Sequence, residues 1–118
     1  MNTKRTGSWA GTLWILQALS GLLLILLLGT HMIVNHFVVE GGLRTYEDVV
    51  SYLSNPVVVV WEILFLIVVT FHAALGVRSI LFDLGPKKTA RTVINWGITV
   101  LGLLAVGYGV WLTFQIIG

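Results

Sequence analysis

VVVVWEILFLIVVTFHAALGVRSILF, residues 57–82, decides the fold. It is a long apolar run interrupted only by Glu62, Thr70, His72, Arg78 and Ser79 among its polar residues. A bilayer's hydrocarbon is about 30 Å thick, and a helix rising about 1.5 Å per residue crosses it with about 20 residues. This run is longer than that. A second run, residues 13–39, holds Ser20, Thr30, His31, Asn35 and His36, and a third, residues 93–117, carries little beyond Asn95, Thr99 and Thr113. Three segments are too few for a closed barrel and do not alternate apolar with polar, so each span must be a helix. The expectation is an all-α membrane protein: one domain over residues 1–118 with three transmembrane helices.

Composition agrees. Of 118 residues, 57% are hydrophobic and 10% charged, against about 25% charged in soluble domains. There is no Cys, which excludes disulfides, thiolate catalysis and iron–sulfur or Cys-ligated zinc sites within the chain. The net charge of +2 comes from residues at the ends of apolar runs. No basic stripe exists, so nucleic acid is not an expected partner; lipid is. The first run follows Lys4 and Arg5 but is too long for a secretory signal core and lacks a small-x-small cleavage site before its polar end, so it reads as retained.

Flanking charge orients the spans. Lys4 and Arg5 precede the first, and Lys87, Lys88 and Arg91 lie between the second and third. The first loop has Arg44 beside Glu40, Glu47 and Asp48. Basic short loops stay in the cytoplasm, which places the N-terminus inside and the C-terminus outside.

Within the first loop, Gly41-Gly42 breaks the first helix, and Tyr46, Val49, Val50 and Leu53 recur at helical spacing. Thr45 is a candidate cap for a short amphipathic helix over about 45–54 on the outer surface, with Glu47 and Asp48 in its first turn. Gly85-Pro86 makes the next turn, and Thr89 is a candidate cap for the third span. In that span Ala105 and Gly109 form a small-xxx-small pair that admits a neighbouring helix. Three helices leave the polar groups of the first two spans short of partners that lipid cannot supply. The chain is therefore expected to be part of a larger heteromeric bundle.

Three histidines carry the candidate chemistry. Counting from the cytoplasmic ends of the spans, His72 lies about 15 Å deep and His31 about 27 Å deep, a separation of about 12 Å. One metal ion cannot easily bind both, so two sites at two depths fit better. His36 lies at the outer boundary, about 140° around the helix from His31. A neutral His is a usual haem-iron ligand; His72 can equally be an interhelical hydrogen-bonding residue or a proton-relay group. Gly76, one turn from His72, leaves room for a flat macrocycle. Arg78 can meet a haem propionate or a quinone oxygen. Glu62 lies at the level of His31 and His36 and can pair with either.

The stretch His72-Ala-Ala-Leu-Gly76-Val-Arg78-Ser-Ile-Leu-Phe-Asp83 resembles the second helix of the succinate dehydrogenase and fumarate reductase cytochrome b anchors: His, Gly four later, a basic residue at about six and Asp eleven later. Gln17-Ala-Leu-Ser20-Gly21, with a helix running on to His31, resembles the family's first helix, and Tyr46 to Pro56 its first loop. The resemblance spans nearly the whole chain and is greatest with the smaller, D-type anchor. It implies one or two b haems shared with a second, C-like anchor subunit, His72 as ligand nearer the cytoplasm and His31, or alternatively His36, as distal ligand. It implies flavoprotein and iron–sulfur partners that deliver electrons from succinate to a quinone substrate near the cytoplasmic face of a bacterial or archaeal cytoplasmic membrane. Ser20, Asp83, Gln17 and Trp14 are the quinone-region candidates. Two departures stand out: Gln17, Ala18 and Leu19 occupy positions before Ser20 where an Arg is common in the family, and Leu84 follows Asp83 where some D subunits have Tyr. Two other function classes compete: a small transporter or proton-conducting subunit using Glu62, His72 and Arg78, and a cofactor-free assembly subunit.

Overall fold

The computed structural model describes residues 3–38, 40–42 and 44–118, with side chains from residue 10 onward except Glu40. The expected end of the first span at Val39, and the side chains of Lys4, Arg5 and Trp9, lie outside the described residues. Four α-helices follow in chain order: α1 (Thr3–Met32), α2 (Tyr46–Leu53), α3 (Pro56–Asp83) and α4 (Lys88–Ile117). Three helical segments are long and apolar enough to cross a membrane: Ala10–Phe37, Pro56–Asp83 and Lys88–Ile117. The molecule is 59 Å long, so its ends project well beyond about 30 Å of hydrocarbon.

Local chemistry sets each boundary. Beyond Met32 the first helix widens into a π turn, Ile33–Phe37, closed by Val38 N–H donating to the Ile33 carbonyl at 3.1 Å. Side chains return to carbonyls of this region: Asn35 Nδ2 donates to His31 O at 2.8 Å, and an Arg44 terminal nitrogen donates to Val34 O at 3.2 Å. Gly41 and Gly42 then turn the chain at φ of 81° and 75°, a region that side chains with a Cβ rarely adopt. Thr45 caps α2 in a reciprocal box: its hydroxyl accepts from Asp48 N–H while its own N–H donates to the Asp48 carboxylate. Asn55 caps α3 through Val57 N–H, and Pro56 sits at the first helical position, where its missing N–H costs nothing. Gly85, at φ 68°, ends that helix. α4 starts at Lys88 with Lys87 in the cap position, so Thr89 lies inside the helix and does not cap it.

α3 is the central element. It packs against α1 on one side and α4 on the other, whereas among the described residues α1 and α4 do not pack together; α2 lies across the N-terminal end of α3 and the C-terminal end of α4. The α3–α4 approach uses Gly102, where an added Cβ would meet Thr70, and Gly109, where it would stand 2.5 Å from Leu66. The close contacts are thus Gly102 and Gly109, two turns apart, and Ala105 is exposed. α2 turns Val49, Tyr52 and Leu53 inward; Tyr46, expected on that stripe, is 71% exposed.

The fold has almost no core of its own. Among described residues only Leu27 and Leu53 are buried large hydrophobics, and Ser20 is the one buried polar residue. Apolar side chains from all three spans face outward, as expected where lipid or other helices complete the packing.

The Thr45 cap predicts a local effect. Thr45→Ala should destabilise α2 by about 1 kcal/mol, read as roughly fivefold faster amide exchange in α2 with α3 and α4 unchanged. The Thr45 N–H bond holds the Asp48 carboxyl below its ordinary 3.8. That contribution is therefore in place at neutral pH and is lost in acid as the carboxyl protonates, so α2 exchange should accelerate below about pH 4 in the natural chain and much less in Asp48→Asn.

Candidate functional site

The α1–α3 seam holds two polar pairs. At the first, Ser20 Oγ donates to the Gln17 carbonyl at 3.0 Å and stands 2.9 Å from His72 Nδ1. A hydroxyl has one proton. With that proton on the Gln17 carbonyl, both contacts are satisfied only when His72 Nδ1 carries a hydrogen and donates it to Ser20. The lone pair then resides on Nε2, which has no hydrogen-bond partner among the described residues. The ring is seated by Gly21, where a Cβ would stand 3.2 Å from His72 Cε1. Gly76 does a different job: an added Cβ there would meet Gln17 Nε2 at 3.4 Å, so the space it leaves is occupied by Gln17, whose Oε1 is buried without a partner.

The second pair lies toward the end of the seam that α2 covers. His31 Nδ1 donates to Glu62, 2.9 Å from Oε2 and 3.2 Å from Oε1. Tyr52 O–H, reaching in from α2, donates to Glu62 Oε1 at 2.6 Å. The Arg44 guanidinium lies over the Tyr52 ring at 4.2 Å, and Phe65 packs on the His31 ring at 4.8 Å between centroids. Burial, then the hydrogen bond to Glu62, push the Tyr52 hydroxyl up to about 12. His31, Tyr52 and Glu62 border a cavity of about 370 Å³ reached by residues of all four helices. His31 Nε2 is without a hydrogen-bond partner among the described residues, as is His72 Nε2.

Magnitudes decide how to read Glu62. A charged side chain at the centre of a span costs about 2.5–3.5 kcal/mol by insertion, and Glu62, six residues into α3, costs less than that. Hydrogen bonds between membrane helices return about 0.6 kcal/mol each on average and at most about 1.7. Two donors therefore offset roughly 1–3 kcal/mol of that cost. The cluster is tolerated and gives little net stability.

Register separates the sites. Gln17 meets Gly76, Ser20 meets His72 and His31 meets Glu62, as antiparallel helices require. Glu62 and His72 are ten residues apart on α3, so the two levels are about 15 Å apart along it, slightly more than the 12 Å reckoned from the span ends. His36 belongs to neither pair: it is exposed, and its Nδ1 donates to the Gly42 carbonyl at 3.0 Å.

The remaining candidates are not brought to His72. Arg78 turns toward α4: Nε donates to Asn95 Oδ1 at 2.9 Å and the guanidinium lies 4.1 Å from the Phe82 ring centroid. It borders a cleft of about 510 Å³ between α3 and α4. Asp83 is the exposed last residue of α3, and Trp14 is 72% exposed. Tyr52, Asn95 and the seat at Gly21 were not singled out by pattern. The adjacent small pair Ser20-Gly21 is the signal that could have found the last, and Asn95 stands out as one of the few polar residues of the third span; nothing in one sequence marks Tyr52. Among the described residues no three metal-ligating side chains come together, so each level offers one histidine from this chain.

Comparison with known proteins places the chain in a family. A family described as the succinate dehydrogenase/fumarate reductase transmembrane subunit matches residues 4–111. A succinate dehydrogenase hydrophobic membrane anchor subunit from Archaeoglobus fulgidus is 36% identical over 103 residues, covering 87% of each chain. One from Thermoplasma acidophilum is 27% identical over 93 residues, covering 79% of this chain and 76% of that one. No solved structure matches. The chain belongs to the succinate dehydrogenase/fumarate reductase transmembrane subunit family, and is most like its hydrophobic membrane anchor subunits.

Proposed function

We propose that the chain is a haem b-binding anchor subunit of a succinate:quinone oxidoreductase. It holds flavoprotein and iron–sulfur subunits at the cytoplasmic membrane of a bacterium or archaeon and takes part in electron transfer to quinone. The observation that carries this reading is the pair of histidines on facing spans, each with Nδ1 committed to the opposite helix. A ligating His is usually held in this way, its second nitrogen donating to an oxygen acceptor so that the first keeps its lone pair.

His72 and His31 are the residues that would hold haem, at two levels, with opposing ligands from a second anchor subunit. Bound haem supplies a one-electron carrier. The chain's residues do the rest. Ser20 and Glu62 hold the rings in one tautomer, Gly21 gives the His72 ring its seat, and the apolar spans exclude water. The exposed faces of α1 and α4 leave room for the partner helices. The N-terminus and the loop at Gly85 face the cytoplasm, where Lys87, Lys88 and Arg91 stay. The quinone region lies on this side, near Gln17 and Ser20, with Asp83 and Trp14 at its edge. Arg78, committed to Asn95 through Nε, keeps its terminal nitrogens for an oxygen ligand on the α4 side.

A proton-conducting reading through Glu62, His72 and Arg78 finds less support. Glu62 and His72 are about 15 Å apart along α3, and Arg78 bonds toward α4 while His72 bonds toward α1.

In the purified complex, reduced-minus-oxidised spectra should show b-type absorption. His72→Ala and His31→Ala should each remove a different component; loss of one shared component would contradict the two levels. Gly21→Leu should displace the His72 ring and weaken only the component lost in His72→Ala, and Ser20→Ala should loosen that same component about 10–100-fold. For topology, Ser54→Cys should react with an impermeant maleimide in intact cells and Lys87→Cys only after permeabilisation. The reverse pattern would invert the orientation.

A further inference from the structure

The two histidines are held by different chemistry: His72 by a neutral hydroxyl, His31 by a carboxylate. We propose that Glu62 is a positioning residue for His31, fixing its ring and strengthening its Nε2 as an electron donor, and so lowering the potential of the iron that His31 holds. The inference rests on His31 being a haem ligand.

The geometry supports it in three ways. Glu62 contacts Nδ1 through both carboxylate oxygens, at 2.9 and 3.2 Å, with its side chain 17% exposed. Little water competes for the bond, and a carboxylate acceptor pulls the Nδ1 proton more strongly than a hydroxyl does. That pull pushes electron density toward Nε2, which favours the oxidised metal. Tyr52 divides the carboxylate's accepting capacity by donating at 2.6 Å to Oε1, and so limits the pull on His31. Asn35 bonds the His31 carbonyl and keeps the turn that carries the ring in place. The carboxylate would otherwise be a net cost in this span, which is why its position beside one histidine calls for an account.

The test is a potentiometric titration of the b-type absorption of the whole complex at one fixed pH. His31→Ala first identifies the component that His31 holds. Glu62→Gln, which keeps an acceptor oxygen but removes the charge, should favour reduction of that component by about tenfold, or about 59 mV upward for one electron. The component lost in His72→Ala should stay unmoved. Tyr52→Phe should shift the same component the other way, because Glu62 then accepts from His31 alone; this variant decides the sign if Glu62→Gln fails to assemble. An unchanged potential in both variants, or shifts in the same direction, overturns the role of Glu62 while leaving His31 a ligand. If His31→Ala removes no component, the ligand assignment and the inference fall together.

Discussion

Inside a bilayer a polar side chain has only protein to bond, and the α1–α3 seam is where this chain meets that requirement. Ser20 answers His72, and Glu62 answers His31. Two such pairs on antiparallel helices define one register: sliding α1 by a turn against α3 would strand both histidines and a carboxylate in hydrocarbon. Each unpaired group would cost several kcal/mol, far more than the packing differences between one apolar register and another. The remaining elements follow from this seam. The π turn after Met32 and the Gly41-Gly42 bend bring the chain back, so that α2 delivers Tyr52 to the same carboxylate. α4 packs on the far side of α3 through Gly102 and Gly109.

The seam also leaves polar groups unanswered. It consumes the Nδ1 side of His31 and His72 and leaves the Nε2 side without a partner among the described residues. Among the described residues α1 and α4 do not close a bundle, and the largest fully buried side chain is a single leucine, Leu27. With no hydrophobic effect to drive helices together in lipid, association depends on close packing and polar contacts. Open faces beside unsatisfied ring nitrogens are what a partner bundle carrying cofactors would complete. The same polar pairs that fix the helix register thus also fix the orientation of both histidine rings.

Much of this was legible in the residues. Length and hydropathy identify three spans because lipid imposes one coarse rule on long segments, and residue count along a helix is close to a ruler for depth. That ruler put Glu62 level with His31 and His72 at a separate level. It could not choose between His31 and His36 for Glu62, because rotation about a helix axis depends on what the helix packs against, and the π turn alters it locally. Arg78 shows the same limit: its depth was readable, its turn toward Asn95 was not. The spacing of Gly76 from His72 suggests room for a cofactor, whereas Gln17 from the opposite helix lies against Gly76. Tyr52 was invisible because its partner is ten residues away across a helix break, where no periodicity operates.

The most direct test of the account is an experimental density map of the assembled complex at a resolution that shows side chains. The account predicts that His72 and His31 keep Ser20 and Glu62 at Nδ1 and that each Nε2 coordinates a haem iron, at two depths in the membrane. A map in which either Nε2 instead bonds a polar group of a neighbouring subunit, with no iron beside it, would contradict the claim at that level.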